Sequence, residues 1–512
     1  MYLLDSIEGW MSSMMEPLEA RVLLAADLPA LDSLLFVRDG GDGRIVVADS
    51  DYDDQSVVVL RLTRDGTPDP TFGPLGIVRV RGLATVSDLQ VQPDGKTLIL
   101  GDLVDGRVGV VRLTTDGRFD ETFGDGGLAL APDGPVDYWS IVSGRMALGR
   151  DGRIVIGEVA ADATDASALY VSRFSAGGRP DPMFGVGGIT LIHTPLQLSE
   201  LDAIYLRPDG GIDVSIQPLG SSGGVFARLR ADGSPDASFG DGGILPRDLG
   251  GSYYDWHTLP DGRTLAYEQP PSAATDDAPR LHAYDRDGRA DPSFGAGGVA
   301  EFPGTGPYVP MSAPAIRSGD RTILALYTSN PIFGHLKLIA IDDDGSVDAG
   351  WAFDGQRNLL DDAGVRGEFI DLAIADNGDL LTARLAYDAA DPYDDVPLQL
   401  VIDRFRPDGT PEYDFGLGGE VTLELAAPGE FHPEDPGEPA PVPAPSGNGA
   451  QTPDSDKPPV SESQGNPPQA TAPLHGFFAT QPIEEGSAAR LLLGATAERS
   501  LFGDTPDEVF AG

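Results

Sequence analysis

The chain has 512 residues, with 35 Lys and Arg against 81 Asp and Glu, a formal charge of −46, and no cysteine. Without cysteine there are no disulfides, no thiolate-bound zinc and no cysteine nucleophile. So negative a surface repels nucleic acid and anionic membranes, which makes both poor partner candidates; it suits cations, basic partners or plain solubility.

Residues 1–31 stand apart. Leu3, Ile7, Trp10 or Met11, Met14 and Leu18 share one helical stripe, broken at Pro17. This apolar stretch is too short for a transmembrane span. Asp5 and Glu8 precede it with no Lys or Arg, unlike an ordinary signal peptide. The run Glu16-Pro17-Leu18-Glu19-Ala20-Arg21-Val22-Leu23-Leu24-Ala25-Ala26-Asp27 resembles the LEPR-XLL motif at the N-termini of many planctomycete proteins thought to be exported, with Ala20 in place of that family's proline. The resemblance implies a sorting or export element. An amphipathic helix capping the next domain is the competing reading.

Residues 32–426 carry seven copies of one unit, marked by Phe72, Phe123, Phe184, Phe239, Phe294, Trp351 and Phe415. A turn pair precedes each aromatic: Asp65-Gly66, Asp116-Gly117, Gly177-Gly178, Asp232-Gly233, Asp287-Gly288, Asp344-Gly345 and Asp408-Gly409. Glycine supplies the positive φ of a tight turn, and aspartate bonds its own backbone two residues on. Three residues after each turn glycine comes an acid: Asp69, Asp120, Asp181, Asp236, Asp291, Asp348 or Glu412. Four after the aromatic a glycine opens a short apolar strand, as in Gly127-Leu128-Ala129-Leu130; the last copy ends on Gly419–Leu425. Upstream lie another strand, such as Val57–Leu62, and a hairpin such as Leu89–Leu100 around Asp94-Gly95.

Four short strands per unit, repeated seven times with no helical period, predict an all-β, seven-bladed propeller closing as a monomeric ring. The aromatic is expected to wedge between blades. The pattern Asp-Gly-x-x-Asp-x-x-Phe-Gly-x-x-Gly, with Pro-Asp-Gly upstream, resembles the delta-60 repeat of bacterial proteins, which implies the same fold. The sixth copy departs, with Trp351 for Phe, Ala352 for Gly and Ala340 for Arg, so its blade is expected to be distorted. The final strand from Gly419 is expected to complete blade one and lock the ring.

Residues 427–473 hold thirteen prolines among Gly, Ser, Glu and Gln, the composition of an extended spacer. Residues 474–512 regain Phe477, Phe478, Leu491–Leu493, Leu501, Phe502, Val509 and Phe510, as an attachment tail or a frayed end would.

No motif yields a catalytic, cofactor-binding or metal-binding residue. Asp-Gly-x-x-Asp offers two carboxylates where a wrapping calcium loop needs more. Asp51, Asp53 and Asp54, and Asp342, Asp343 and Asp344, are the denser patches a calcium ion would take; no other cofactor is expected. Arg61, Arg112, Arg173, Arg228 and Arg404 share one repeat position and are expected to pair with the turn acids. Ala283 and Ala340 replace them, and Asp291 and Asp348 persist there for the turn itself. The histidines His193, His257, His282, His335, His432 and His475 lack ligand spacing. Gly220-Ser221-Ser222-Gly223-Gly224 copies a nucleophile elbow but sits between strands. Long connections at Asp133–Gly149, Gln269–Pro279, Pro303–Pro314 and Asp388–Pro397 are the expected ligand rim; Tyr138, Trp139, Tyr253, Tyr254, Trp256, Tyr308 and Tyr393 in or near them would stack on sugars or peptides, with blade packing the competing account and the preferred one for Trp256. The chain reads as a non-enzymatic, secreted or cell-surface scaffold taking protein or glycan on rim loops. The alternatives are a propeller hydrolase or lyase acting on polysaccharide, and a cytoplasmic interaction platform.

Overall fold

Each repeat contains strands that one sheet cannot satisfy: Ile45–Asp51 and Ser56–Leu62 are buried along their whole length, so both sheet faces need cover. In the computed structural model neighbouring repeats provide it. The structure describes residues 36–424, except 53–54, 133–139, 162–166, 193–197, 219–224, 247–251, 260, 270–279, 303–314, 319–320, 328–335, 353–354, 360–364 and 389–396.

Blade one is β1 (Phe36–Asp39), β2 (Ile45–Asp51), β3 (Ser56–Leu62) and β4 (Ile77–Arg81), and blade two β5 (Asp88–Val91), β6 (Thr97–Asp102), β7 (Val108–Leu113) and β8 (Leu128–Leu130). Blade three is β9 (Ser140–Leu148), β10 (Ile154–Ala161), β11 (Ser167–Phe174) and β12 (Ile189–Ile192). Blade four is β13 (Leu198–Leu206), β14 (Ile212–Pro218), β15 (Val225–Leu229) and β16 (Ile244–Pro246). Blade five is β17 (Ser252–Thr258), β18 (Thr264–Gln269), β19 (Arg280–Tyr284) and β20 (Val299–Glu301). Blade six is β21 (Ala315–Ser318), β22 (Arg321–Tyr327), β23 (Leu336–Asp342) and β24 (Gln356–Asn358), and blade seven β25 (Val365–Ile374), β26 (Leu380–Asp388), β27 (Pro397–Phe405) and β28 (Glu420–Glu424). Every sheet is an antiparallel meander in sequence order. The first strand of each blade lies against that of the next, and β25 lies against β1. The seven-bladed propeller is therefore as expected, and its ring closes.

Period-two alternation sends successive side chains to opposite seams. In β2, Ile45 and Val47 pack with blade seven, while Val46 and Ala48 pack with blade two. One repeat aromatic fills each seam: Phe72 between blades one and two, Phe123, Phe184, Phe239, Phe294 and Trp351 in turn, and Phe415 between seven and one. None is more than 2% exposed. Burial of each contributes a few kcal/mol, so the wedge carries much of the inter-blade cohesion.

Three expectations need correction. Strand β28 pairs with β27 and stays in blade seven, while blade one owns β4, so the ring closes by face packing without strand exchange. Each repeat already contains four strands, which leaves blade one no vacant edge. Blade six keeps the regular strand order; its departures are absorbed at Ala352, whose φ of 49° matches the left-handed glycines at the same place in its neighbours, such as Gly295 at 51° and Gly416 at 53°. Finally, Ser140–Leu148 and Ser252–Thr258 are first strands of blades, so part of the Asp133–Gly149 connection and Tyr253 and Tyr254 belong to strands, as does Trp256, for which a place in the blade is the preferred reading. Their apolar-aromatic composition reflects β-structure at the ring's inner edge.

Candidate functional site

The repeat's polar residues are used to fasten one blade to the next. The residue after the aromatic gives its backbone N–H to the turn carbonyl of the following blade: Gly124 to Gly177 (2.8 Å), Gly185 to Asp232 (2.8 Å), Gly295 to Asp344 (2.6 Å), Ala352 to Asp408 (2.7 Å) and Gly416 to Asp65 (2.9 Å). The last of these fastens blade seven to blade one. The turn glycine admits the approach. At Gly66, φ 85°, an added Cβ would lie 2.2 Å from Val421 Cγ2 and 3.1 Å from the Phe415 ring.

The repeated arginine is buried; Arg61, Arg112 and Arg173 bond the turn acid as expected, whereas Arg228 bonds Asp213 (2.8 Å) and Arg404 bonds Asp379 (2.8 Å) instead. Arg112 lies 4.3 Å from the Phe123 ring centroid, bonds Asp120 through Nε at 2.9 Å, and donates from Nη1 to Ala176 O of blade three at 2.8 Å. Arg61 repeats this with Phe72 (4.5 Å), Asp69 (2.9 Å) and Thr115 O (2.7 Å). Each acid also caps its turn. Asp291 Oδ1 accepts the Ser293 N–H (3.0 Å) and hydroxyl (2.6 Å), and the hydroxyl bond together with Arg263 holds its carboxyl below the usual range.

Where Ala283 and Ala340 replace the arginine, the pairing does not vanish. Arg263 and Arg321, from the first hairpins of blades five and six, reach Asp291 (3.5 Å) and Asp348 (3.0 Å). The sequence reading that these acids persist for the turn alone is thus half the account. Arg44 and Lys96 hold the same hairpin position and pair with Asp69 (3.1 Å) and Asp120 (3.0 Å).

At the axis lies a charge chain that sequence reasoning did not pick out. Arg38 on β1 pairs with Asp371 on β25 and with Asp88 on β5 (3.2 Å). Asp88 Oδ2 accepts the Met146 N–H of β9 (2.7 Å), and Arg145 donates to the Asp202 carbonyl of β13 (3.0 Å). Burial pushes the Asp88 carboxyl up, against the pull of Arg38. A signal existed: Asp88, Arg145 and Asp371 each stand seven residues before a hairpin glycine, Gly95, Gly152 and Gly378.

The acid patches are mostly committed. Asp51 pairs with Arg79 (2.6 Å), Asp343 with Arg263 (3.1 Å), and Asp344 caps Ser346 (2.9 Å); Asp53 and Asp54 lie outside the described residues. Among the described residues no group of three or more His, Asp or Glu is placed to hold a metal ion. His282 Nε2 stands 2.5 Å from Glu268 Oε2; His257 lies on β17, and the other four histidines fall outside the described residues. So do Gly220–Gly224, Tyr138, Trp139, Tyr308 and Tyr393, the long stretches at 270–279, 303–314 and 389–396, and everything before 36 and after 424. No helix among the described residues is long and apolar enough to cross a membrane.

With this geometry in hand, comparison with known proteins supports the repeat. A family described as "Domain of unknown function (DUF5122) beta-propeller" matches residues 40–72, 92–123 and 208–239. Each matched stretch runs from a first hairpin to the seam aromatic. No curated protein matches the chain. Similar solved structures include a puromycin hydrolase, 14% identical over 69% of this chain and 50% of its own, TM-score 0.39. This chain therefore spans half the length of that hydrolase. A protein of unknown function from Dyadobacter fermentans is 15% identical over 59% and 93%, TM-score 0.33. A subtype N10 neuraminidase-like protein of A/little yellow-shouldered bat/Guatemala/060/2010 is 11% identical over 70% and 94%, TM-score 0.34. Likenesses at this level say nothing about chemistry.

Proposed function

We propose that this chain is a non-catalytic binding propeller, exported or held at the cell surface, that takes a protein or glycan on the face opposite the Asp-Gly turns. One observation carries the reading: where the fold varies. The turn-bearing face repeats itself, and its turn carbonyls are held by inter-blade bonds while its aspartates cap their own turns. The connections that leave the other face differ in length, from 193–197 between blades three and four to 302–314 between five and six. Variation laid on a fixed scaffold is how recognition surfaces are built. The axial acids Asp88 and Asp371 are bound to Arg38, which favours a structural use over a proton-transfer one. The charge of −46 favours neutral or basic ligands.

The test is calorimetric titration of the full chain with xylan, dextran, chitosan and a set of Lys-rich peptides, with reducing ends and double-bond absorbance followed in parallel. Saturable binding with no change in the polysaccharide supports the scaffold. Release of reducing ends or unsaturated ends overturns it in favour of a hydrolase or lyase. Export is tested separately, by fractionating native cells and sequencing the mature N-terminus. Processing near Ala25-Ala26 outside the cytoplasm supports export, whereas an intact Met1 in the cytosol replaces it with an intracellular platform.

A further inference from the structure

Between blades two and three one seam ends unlike the others. The rows that face each other are Leu98 and Leu100 of β6 and Ile154 and Ile156 of β10, all fully buried. Two residues further along each strand, on the same faces, stand Asp102 and Glu158. Glu158 is 7% exposed, and its Oε1 has no hydrogen-bond partner. Ser172 lies directly across from Ile156, so it faces the same seam; it is 1% exposed, and its Oγ is also without a partner. The Thr85 hydroxyl donates to Asp102 Oδ2 at 2.9 Å. Asp102 is the one charged group that acts appreciably on the Glu158 carboxyl, and it is of like sign.

Buried carboxylates without a cation are costly, and unsatisfied buried oxygens call for an explanation. Every other buried carboxylate described above answers to an arginine, a lysine or backbone N–H groups. Here two carboxylates face one seam with no cation or backbone N–H on them, beside the Ser172 hydroxyl and a Thr85 hydroxyl that accepts the Asp102 N–H (3.2 Å). All are oxygens, which suits a hard cation over zinc or copper. Two carboxylates balance two positive charges, and neutrality matters most in a low-dielectric seam. A flexible donor set completed by water favours calcium over magnesium, which demands regular octahedral geometry.

We infer that Asp102 and Glu158, with the Ser172 and Thr85 hydroxyls, form a calcium site that clamps blade two to blade three. The site lies at the end of the seam towards the ligand face, with Thr85 in the 82–87 connection, but it does not depend on the scaffold reading. Calcium here adds cohesion to a seam that is already fastened at its other end by Arg112 and Asp120.

The experiment is thermal unfolding of the full chain after chelation, then with calcium chloride or magnesium chloride added, for the native sequence and for Glu158→Gln, Asp102→Asn and Asp343→Asn. Calcium is expected to raise the native Tm by a few degrees, more than magnesium at equal concentration. The shift should be lost in Glu158→Gln and Asp102→Asn and kept in Asp343→Asn. Direct titration should show one calcium fewer bound by Glu158→Gln. Removing a buried charge leaves that variant folded in chelator, so loss of the shift is readable. Equal melting of the native chain with and without calcium overturns the site. So does a shift that survives in Glu158→Gln, which would place the ion among surface acids.

Discussion

Trp351 donates its indole N–H to the carbonyl of Pro407 at 3.2 Å. A guanidinium also serves that carbonyl position: Arg61 reaches Thr115, Arg112 reaches Ala176, Arg263 reaches Asp343 and, here, Arg321 reaches Pro407 at 3.3 Å. The two departures in the sixth copy, Trp for Phe and Ala340 for Arg, therefore compensate one another across one seam. The indole fills the aromatic's place and supplies the donor that the alanine removed.

Trp351→Phe should accordingly destabilise the ring by about 1–2 kcal/mol, through a lost bond and a smaller wedge. Arg321 Nη1, 3.3 Å from the same carbonyl, limits the loss. Adding Ala340→Arg to Trp351→Phe should restore part of it. Denaturant midpoints of the three proteins check this, and an equal loss with and without the arginine would refute the compensation.

Ala352 holds a left-handed backbone where most copies have glycine. An L-residue pays roughly 1–2 kcal/mol there, whereas glycine is unstrained but loses more chain entropy on folding. Ala352→Gly should raise stability by about 0.5–1 kcal/mol. Unfolding midpoints measure it; a decrease would mean that the methyl's packing outweighs the strain.

Gly66 and Gly106 share nearly the same dihedral, φ 85° and 83°, but not the same surroundings. A methyl at Gly106 meets nothing within 4 Å, whereas one at Gly66 strikes Val421 and Phe415 across the closing seam. Gly106→Ala should cost about 1 kcal/mol of strain, and Gly66→Ala about 2–4 kcal/mol because overpacking adds to it. If the two variants melt together, the closing seam is looser than described.

Burial, then the charge of Asp102, pushes the Glu158 carboxyl from an ordinary 4.5 up to about 8. An acid whose folded value is raised holds its proton more tightly when folded. In chelator the penalty is absent below pH 4.5, grows as pH rises, and is complete above pH 8. Glu158→Gln should match the native chain near pH 4 and exceed it by a few kcal/mol at pH 8.5. The turn acids act oppositely. Hydrogen bonds hold Asp236 and Asp291 low, so their contribution is present at neutral pH and is lost on acidification. Melting temperature against pH for both proteins reads the two effects; parallel curves would remove Glu158 from the account.

Much of the architecture is legible without coordinates because it is written locally. The Asp-Gly turns, the acid three residues on, the aromatic and the following glycine fix four strands and their alternation within about 55 residues. Stacking then follows, since strands such as Val57–Leu62 are apolar on both faces. What the chain's order cannot give is which groups meet across a seam. The guanidinium of Arg112 and the carbonyl of Ala176 are 64 residues apart, and their meeting depends on how one twisted sheet rests on the next. The same holds for Arg38, Asp88 and Asp371, which come together only when the ring closes, and for β28, whose sheet the sequence misassigned. Sequence spacing determined the blades. Tertiary packing decided the seams, because hydrogen bonds and ion pairs between blades depend on inter-sheet geometry that no single repeat contains.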